Sequence, residues 1–528
     1  MAKPGFNRWL VPPAALAIHL CIGMAYGFSV FWLPLSQAIG INAPVACPEE
    51  IGFFASIIAT DCDWKISMLG WMYTLFFVFL GSSAAIFGHW LEHEGPRKAG
   101  VVAAFCWGGG LLISAVGVYF HQIWMLWLGS GVLGGIGLGL GYISPVSTLI
   151  KWFPDRRGMA TGMAIMGFGG GAMIGAPLAD RLMNFYATPA SVGVWETFTT
   201  MGIIYFIAML CGAFGYRVAP DGWKPEGWTP PANNNTMITT RHVHLNEAHK
   251  TPQFWLLWGI LCLNVSAGIG VIGMASPMLQ EVFGGRLIGV EGGLYQLAED
   301  QRITVATVAA GFAGLLSLFN IAGRFIWASL SDYIGRKLTY YIFFGLGIAL
   351  YAAAPFAGSI GSVTLFVAIF CIILTMYGGG FATIPAYLAD MFGTRFVGAI
   401  HGRLLTAWST AGILGPVLVN YIREFQLDAG VPVRQAYNTT MYILAGLLVL
   451  GFLCNLLVRP VAEKHYMTEA DLEQERKLAH EKLAQTGPLS WHANPASVPL
   501  VVIFWTLVAI PLSWGIWQTL KSAAKLFI

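Results

Sequence analysis

One arginine in the middle of an apolar run is the residue of this sequence best suited to chemistry. Arg324 lies in FNIAGRFIWASLSDYIGRK, eight residues before Asp332, which places it about 12 Å from the charged end of a helix. A guanidinium at that depth in a membrane costs at least ~2.5 kcal/mol, so such residues usually face a protein interior or a wet cavity. Its planar fork of donors suits a carboxylate in bidentate contact, and we therefore expect Arg324 to bind an anion.

The alternative explanation for Arg324 is a charge pair with an acid on another helix. The two acids to consider both lie near the ends of apolar runs, Asp180 in the fifth run and Asp390 in the tenth. Neither matches the depth of Arg324, so the sequence favours an anion site over a buried ion pair.

The composition excludes a soluble protein. Of 528 residues, 56% are hydrophobic and 10% are charged, against about 25% charged in soluble domains. The net charge of +3 gives no indication of nucleic acid as a partner. The sequence contains no nucleophile–base cluster, metal motif or cofactor fingerprint, so we expect neither an enzyme nor a bound cofactor or metal. An all-α polytopic protein, with the lipid bilayer as its surroundings, is predicted.

Apolar runs of about 20 residues, the length that crosses a bilayer, divide the chain. The first is longer than the apolar region of a cleaved signal peptide, so we expect a retained helix. Twelve runs form two sets of six, near 9–39, 66–91, 98–119, 122–150, 158–182, 196–216, 252–283, 303–330, 338–357, 361–389, 396–422 and 435–458. The predicted units are an N-terminal half at 1–216, a cytoplasmic linker at 217–251, a C-terminal half at 252–458, a cytoplasmic tail segment at 459–496 and an extra transmembrane helix at 497–520.

The two sets of six helices are related by an internal repeat. At an offset of 240 residues the matched pairs are Gly95 with Gly335, Pro145 with Pro385, Gly158 with Gly398, Gly162 with Gly402, and Gly175 with Gly415. Single glycine matches carry little weight, but their persistence at one offset does. Two parallel six-helix halves predict a binding site between them, near the bilayer midplane.

Lysine and arginine concentrate on one side of the predicted helices, which indicates the cytoplasmic side. The N-terminus is therefore expected in the cytoplasm and the protein in the cell (inner) membrane. The thirteenth helix then carries Lys521 and Lys525 outward, against this rule, so its topology stays open. Cys47 and Cys62 share the loop after the first helix, and a disulfide between them is one of two open alternatives.

Two loops share a design, GHWLEHEGPRK from Gly88 to Lys98 and SLSDYIGRK from Ser329 to Lys337. Each ends a helix with an acid, turns at a glycine and begins the next helix with cations. The residues concerned are Glu92, Gly95 and Arg97 in the first loop, and Asp332, Gly335 and Arg336 in the second. We expect these loops to form charge pairs that hold one face closed, although simple membrane anchoring would give the same charges.

Other polar residues and glycines have simpler explanations. The glycine runs at 131–141 and 167–176 lie inside spanning segments, so close helix packing is favoured over a nucleotide loop. His19 and His401 lie within helices, where a structural hydrogen bond is favoured over proton transfer. Arg403 is shallow enough for its side chain to reach the interface. The linker histidines, His242, His244 and His249, are read as part of a solvated segment rather than as a metal site.

Several motifs together resemble the oxalate/formate antiporter family of the major facilitator superfamily, which is related to the monocarboxylate transporters. They are KWFPDRRGMATG, EGPRK, TPQFWLLW, FNIAGRFIWASLSDYIGRK and TAWSTAGILGP, and the resemblance covers roughly residues 8–458. It implies a major facilitator fold, two halves that rock about a central cavity, and transport of small carboxylates as antiport or symport.

The resemblance also implies roles for particular residues. The family's carboxylate-binding arginine falls on Arg324, and its cavity aromatics fall on Tyr26, Tyr142, Tyr377 and Phe381. Asn320 stands where proton-linked relatives have an acid, which argues against proton coupling through an acid–arginine pair. The tail after residue 459 lies outside the shared pattern, so its last helix could pack, regulate or bind a partner.

Trp408 is the most informative departure from the family. The oxalate exchanger has a lysine there, which gives the dianion its second cation. One cation with an added aromatic suits a single carboxylate, so we expect a monocarboxylate such as formate, lactate or pyruvate, moved by proton symport or anion exchange. The alternatives are oxalate/formate-type dicarboxylate exchange, and a membrane sensor built on a transporter fold that does not transport.

Overall fold

The computed structural model describes residues 2–40, 45, 47–48, 53–220, 223–229, 237–478 and 492–524. Within these residues, thirteen helices are long and apolar enough to cross a membrane. They are α1 (Arg8–Phe31), α2 (Met68–Glu94), α3 (Pro96–Tyr119), α4 (Ile123–Trp152), α5 (Arg157–Tyr186), α6 (Val194–Gly215), α7 (Pro252–Ile288), α8 (Gly311–Ile334), α9 (Arg336–Ser359), α10 (Val363–Phe392), α11 (Val397–Asp428), α12 (Val433–Leu457) and α13 (Pro495–Lys521). Among the same residues, extended pairing is limited to two isolated bridges. The prediction of an all-helical polytopic fold with an extra C-terminal helix is confirmed.

The first helix differs from its predicted course. The sequence predicts one helix over 9–39, but α1 ends at Phe31 and a short helix, Trp32–Leu35, follows it. The second part of α1, Gly23–Phe31, is wound as a 3₁₀ helix. It passes very close to α5, because a Cβ atom on Gly23 would lie 2.2 Å from the Phe168 carbonyl oxygen.

The loop between α1 and α2 is fixed by a disulfide and a buried carboxylate. Cys47 and Cys62 are joined, which resolves the alternative left open by the sequence. The Asp63 carboxylate accepts hydrogen bonds from the backbone N–H groups of Ile39 and Val45, at 2.7 and 2.8 Å. These bonds satisfy backbone donors that lie outside regular structure.

Two tight turns link α2 to α3 and α8 to α9. Gly95 and Gly335 stand at these turns with φ values of 87° and 89°, a region that strains residues with a side chain. Each helix therefore stops abruptly, with its last acidic residue close to the next helix start. We call the end of the bundle that carries these two turns the motif face.

Helices of the two sets cross in two equivalent places, α5 with α8 and α2 with α11. At the first crossing, Cβ atoms on Gly158 and Gly162 would lie 2.0 and 2.8 Å from carbonyl oxygens of α8. At the second, a Cβ atom on Gly402 would lie 2.2 Å from the Ala84 carbonyl oxygen of α2. Missing side chains at these glycines bring the backbones into direct contact.

The last helix, α13, packs along α1, α5 and α8. The Trp505 indole donates to the Trp9 carbonyl oxygen at 3.1 Å, and the Arg181 guanidinium lies 4.9 Å from the Trp514 ring. Thr519 of α13 is the side chain nearest to Gly314 of α8. An apolar cavity of about 400 Å³ lies between α1, α5, α6 and α13.

The linker before α7 is tied to α11 at the motif face. Its short helix, Leu245–Ala248, meets Arg403, whose guanidinium donates to the Leu245 carbonyl oxygen at 3.0 Å and contacts His249 Nδ1 at 2.9 Å. The adjacent Lys250 ammonium lowers the pKa of the Glu247 carboxyl through a hydrogen bond. Arg403 therefore reaches out of the bundle to hold the linker, as its shallow position allows.

Candidate anion-binding site

Arg324 lies completely buried where α8 crosses α5, with 0% of its side chain exposed. Its Nε donates to the Asn320 side-chain oxygen, one turn earlier, at 3.1 Å. Its Nη1 crosses to α5 and donates to the Ile165 carbonyl oxygen at 3.2 Å. Nη2 has no well-formed hydrogen bond with any described residue. The Tyr26 hydroxyl lies beside the guanidinium and interacts with its charge. Among the described residues no acid forms an ion pair with this guanidinium, so it has the capacity to bind an anion.

Two phenylalanine rings flank the guanidinium. Its Cζ lies 5.8 Å from the Phe168 ring centre and 5.3 Å from that of Phe381. At these distances the ring faces attract the cation and help to keep it charged in a dry interior. Sequence reasoning missed Phe168, although the repeat could have found it, because Phe168 lies 240 residues before Trp408.

Trp408 of α11 lies at the centre of the aromatic cluster. Its ring centre is 4.5 Å from that of Phe381 and 5.3 Å from those of Phe168 and Tyr142. Tyr26 and Tyr377 complete the cluster, with their hydroxyl oxygens 3.3 Å apart. All seven side chains expected at the site therefore come together, from α1, α4, α8, α10 and α11.

Three donors in this cluster make no well-formed hydrogen bond within the part of the chain that the structure describes. They are Arg324 Nη2, the Tyr142 hydroxyl and the Trp408 indole nitrogen. Buried polar groups in proteins almost always have hydrogen-bond partners, and an orphan group needs an explanation. One fixed cation with two neutral donors is an arrangement that can hold a small anion and surround it with apolar ring surface.

Asp332, at the end of α8, joins α8 to the start of α5 at the motif face. Its two carboxylate oxygens accept from the backbone N–H groups of Gly158 and Met159, at 2.8 and 2.9 Å, which caps the start of α5. A carboxylate in this position also interacts favourably with the helix dipole. Arg336 joins Asp332, at 2.6 Å, to Asp390 of α10, at 3.0 Å.

A further arginine extends this network across the crossing. Arg157 of α5 forms an ion pair with Asp390 at 2.8 Å. In the sequence, Asp390 is identified only as an acid near a helix end, and Arg157 is one of the many lysines and arginines on the predicted cytoplasmic side. The packing of α5 against α8 and α10 is what brings them together.

Glu92, at the end of α2, has the equivalent position at the second crossing. It accepts from the Gly398 N–H at 2.9 Å and from the Ser147 hydroxyl at 3.2 Å, and it pairs with Lys151 at 2.7 Å. Arg97, expected at this gate, instead donates to the Tyr216 carbonyl oxygen at 3.1 Å. Lys151 of α4 thus supplies the cation here.

These contacts close the motif face beneath the site. Both acids cap helices that belong to the other set of six, so each cap joins the two sets. Breaking both caps would uncap the starts of α5 and α11 and would leave Lys151 without its carboxylate partner. The geometry is that of a membrane bundle whose two sets of helices are joined by caps at one face, with a buried cation between them. This arrangement is typical of membrane transport proteins.

The chain belongs to the Major Facilitator Superfamily, whose family model matches residues 51–416 and 293–525. It is 24% identical to the oxalate:formate antiporter of Oxalobacter formigenes, over 90% of this chain and 97% of that protein. It is 25% identical to apicoplast pyruvate carrier 1 of Toxoplasma gondii, over 73% and 78%. Among solved structures, the fucose:proton symporter of Escherichia coli aligns with a TM-score of 0.59 and 13% identity, over 86% of this chain and 100% of that one. The protein is therefore a multi-pass membrane transporter and not an enzyme.

Proposed function

We propose that this protein moves small monocarboxylates across the membrane by alternating access, with Arg324 as the anion-binding residue. The observation that carries the proposal is a fully buried guanidinium, with one nitrogen that makes no well-formed hydrogen bond and with no acid partner among the described residues. A site for an uncharged substrate would not require an arginine. An arginine already paired with an acid would have little positive charge left to bind an anion. A carboxylate fits the free part of the guanidinium fork.

The relatives support the substrate class. One with high coverage is named an oxalate:formate antiporter, another a pyruvate carrier, and human monocarboxylate transporter 11 is 24% identical over 84% of this chain. All three names refer to carboxylates. On this proposal the chain keeps the division into halves at 1–216 and 252–458, the linker at 217–251, the tail segment at 459–496 and the extra helix at 497–520.

The number of cations in the cluster favours one carboxylate over two. Arg324 is its only arginine or lysine within the described residues, and Trp408 fills the position from which a second cation would come. A dicarboxylate would leave its second charge among aromatic rings, where no second cation offsets the cost of its desolvation. Oxalate exchange is the second candidate, because the relative with 90% coverage carries that name.

We also propose an orientation, with the N-terminus and the motif face in the cytoplasm and the protein in the cell (inner) membrane. The Cys47–Cys62 disulfide, which lies in the loop after α1, then faces the oxidising side. The latched motif face corresponds to a state closed toward the cytoplasm. Transport requires Asp332 and Glu92 to release the helices that they cap.

Counterflow in proteoliposomes tests the proposal. Vesicles loaded with unlabelled formate, lactate, pyruvate or oxalate are placed in a trace of the same labelled acid, with and without a pH gradient. We expect labelled monocarboxylates to enter faster than oxalate. Oxalate uptake at least as fast as that of lactate or formate would refute the monocarboxylate assignment, and binding without flux would instead indicate a sensor.

Trp408→Lys tests the basis of the selectivity. A lysine there adds a second cation to the cluster, so we expect the ratio of oxalate to formate counterflow to rise about tenfold, which equals about 1.4 kcal/mol of changed preference. Trp408→Phe is the matched control, since it keeps an aromatic ring and adds no charge. An unchanged ratio in Trp408→Lys, in protein that still exchanges formate, would contradict the charge-counting argument.

A further inference from the structure

His19 of α1 is completely buried, and both of its ring nitrogens face carbonyl oxygens. Nδ1 lies 2.5 Å from the Ala164 oxygen of α5, and Nε2 lies 3.3 Å from the Tyr142 oxygen of α4. A neutral imidazole has one N–H, which the shorter contact requires at Nδ1, so its other nitrogen turns a lone pair toward an acceptor. The imidazolium form donates from both nitrogens. The Tyr142 carbonyl oxygen is therefore positioned to accept a hydrogen bond from Nε2, but only when His19 carries a second proton.

His19 and Arg324 are held by consecutive carbonyl groups of one helix. The Ala164 carbonyl oxygen of α5 accepts a hydrogen bond from His19 Nδ1. The next carbonyl oxygen, that of Ile165, accepts one from Arg324 Nη1. Two nearby glycines leave room for them, since a Cβ atom on Gly167 would lie 3.0 Å from His19 Cβ and one on Gly169 would lie 3.2 Å from Arg324 Nε. Two positive charges so close together repel strongly in a dry interior.

We propose that His19 is the proton-binding site of a proton–carboxylate symporter, filled only when an anion occupies Arg324. The anion neutralises the guanidinium, which removes the repulsion and lets Nε2 take up a proton and donate to the Tyr142 carbonyl oxygen. When the anion leaves on the other side, the restored charge of Arg324 returns that proton to water. The inference rests on the proposed function and makes binding of anion and proton mutually favourable.

Few other titratable groups face His19. The Tyr142 ring of α4 lies 5.3 Å away, and His401 of α11 lies within range of its charge. The charged residues of the helices packed against α1, which are α4, α5, α6 and α13, stand toward helix ends: Lys151, Arg157, Asp180, Arg181, Glu196 and Lys521. Among the described groups that act on the charge of His19, none is an acid.

His401 is the obvious competitor, and its surroundings are less suited to a proton. It is fully buried, and neither of its ring nitrogens has a partner among the described residues. Protonation would give it two unpaired donors, and each buried donor without an acceptor is costly. His401→Gln is therefore the matched control for His19→Gln, because both remove a buried imidazole from the same region.

Proton uptake on substrate binding gives the first test. Purified protein in weakly buffered detergent with a pH indicator dye receives sodium formate, lactate or pyruvate in turn. We expect the wild type and His401→Gln to take up about one proton per bound anion, and His19→Gln to take up none. No uptake by the wild type, or equal uptake by His19→Gln, would overturn the inference. The wild-type measurement stands even if a variant fails to fold.

Transport gives the second test and separates the inference from the proposed function. In proteoliposomes His19→Gln should keep counterflow within about threefold of the wild type and lose accumulation driven by a pH gradient. Counterflow itself shows that the variant is folded. Wild-type counterflow without such accumulation would overturn the proton site alone. Absence of counterflow for all three wild-type monocarboxylates would overturn the proposed function, and the inference with it.

Discussion

The two crossings between the sets of helices share a scaffold but not a chemistry. Gly162 and Gly402 stand 240 residues apart, and each faces a backbone carbonyl, that of Arg324 in one crossing and that of Ala84 in the other. Arg324 and Ala84 are themselves 240 residues apart. The duplicated backbone contact is thus preserved, whereas the side chain at the same point is a cation on one side and a methyl group on the other. A symmetric hinge can therefore carry a single, asymmetric anion site.

The two interhelical contacts at the motif face, which we call the Asp332 latch and the Glu92 latch, also differ in their chemistry. Asp332 and Glu92 occupy equivalent positions, and each caps a helix of the other set. Arg336 follows Asp332, but Pro96 stands at its equivalent, so Glu92 takes its cation from Lys151 on a neighbouring helix. The first latch is a network of two acids and two arginines, and the second is one ion pair with one hydroxyl. The first should therefore contribute more to the closed state.

Arg324→Ala should have the largest effect of any single change. Loss of a buried, charge-assisted contact to the substrate is worth about 3 kcal/mol, or a roughly hundredfold loss of affinity. Counterflow measures it, with membrane insertion checked by purification yield. The control is Arg403→Ala, which removes an arginine that binds the linker and should keep transport within about threefold. Wild-type counterflow in Arg324→Ala would remove the basis of the proposed site.

Asp332→Asn and Glu92→Gln test the difference between the latches. Each keeps the side-chain size and removes the charge, and we expect costs to the closed state of about 3 and about 1.5 kcal/mol. Asp332 accepts from two backbone N–H groups and pairs with a buried arginine, whereas Glu92 accepts from one backbone N–H group and pairs with a partly exposed lysine. Hydrogen–deuterium exchange of the amides that begin α5 and α11 gives the measurement. Faster exchange at α11 in Glu92→Gln than at α5 in Asp332→Asn would reverse the comparison.

Gly402→Ala and Gly162→Ala test the shared scaffold. Their new Cβ atoms would meet backbone oxygens, at 2.2 Å from Ala84 and 2.8 Å from Arg324, so both helices must shift. Such overpacking costs about 1–3 kcal/mol, with the greater loss at Gly402. Thermal unfolding in detergent measures this. Gly109→Ala has nothing within 4 Å of its Cβ atom and should be neutral or stabilising; a comparable loss there would show that the effect is not steric contact.

Lys151→Met should have the smallest effect. Met391 occupies the position 240 residues later, so the change makes the two crossings more alike. The lost ion pair is partly exposed and is worth about 1 kcal/mol or less. We expect a slightly lower melting temperature and counterflow within about twofold of the wild type. A loss as large as that of Asp332→Asn would mean that Lys151 carries the second latch by itself.

Much of the fold follows from the sequence, because apolar length alone marks a spanning helix. The thirteen spans were predicted, and the early end of α1 was missed because its 3₁₀ winding depends on contact with α5. In the site, Arg324 was evident as a charge without a local partner. Phe168, Ser147 and Lys151 were not identified, since their roles depend on how helices distant in sequence are aligned. The same holds for Arg97, whose partner is the end of α6.

The position of α13 has a consequence for how the protein responds to its bilayer. The helix touches α5 at Gly170 through Leu512 and α8 at Gly314 through Thr519, so it lies along the outer edge of one crossing. In a twelve-helix bundle lipid tails would fill that edge, and their length and order would affect the work of rocking. Here a segment of the chain itself occupies it. We therefore expect the turnover rate to vary little with acyl-chain length, and to become sensitive to it when residues 492–528 are removed.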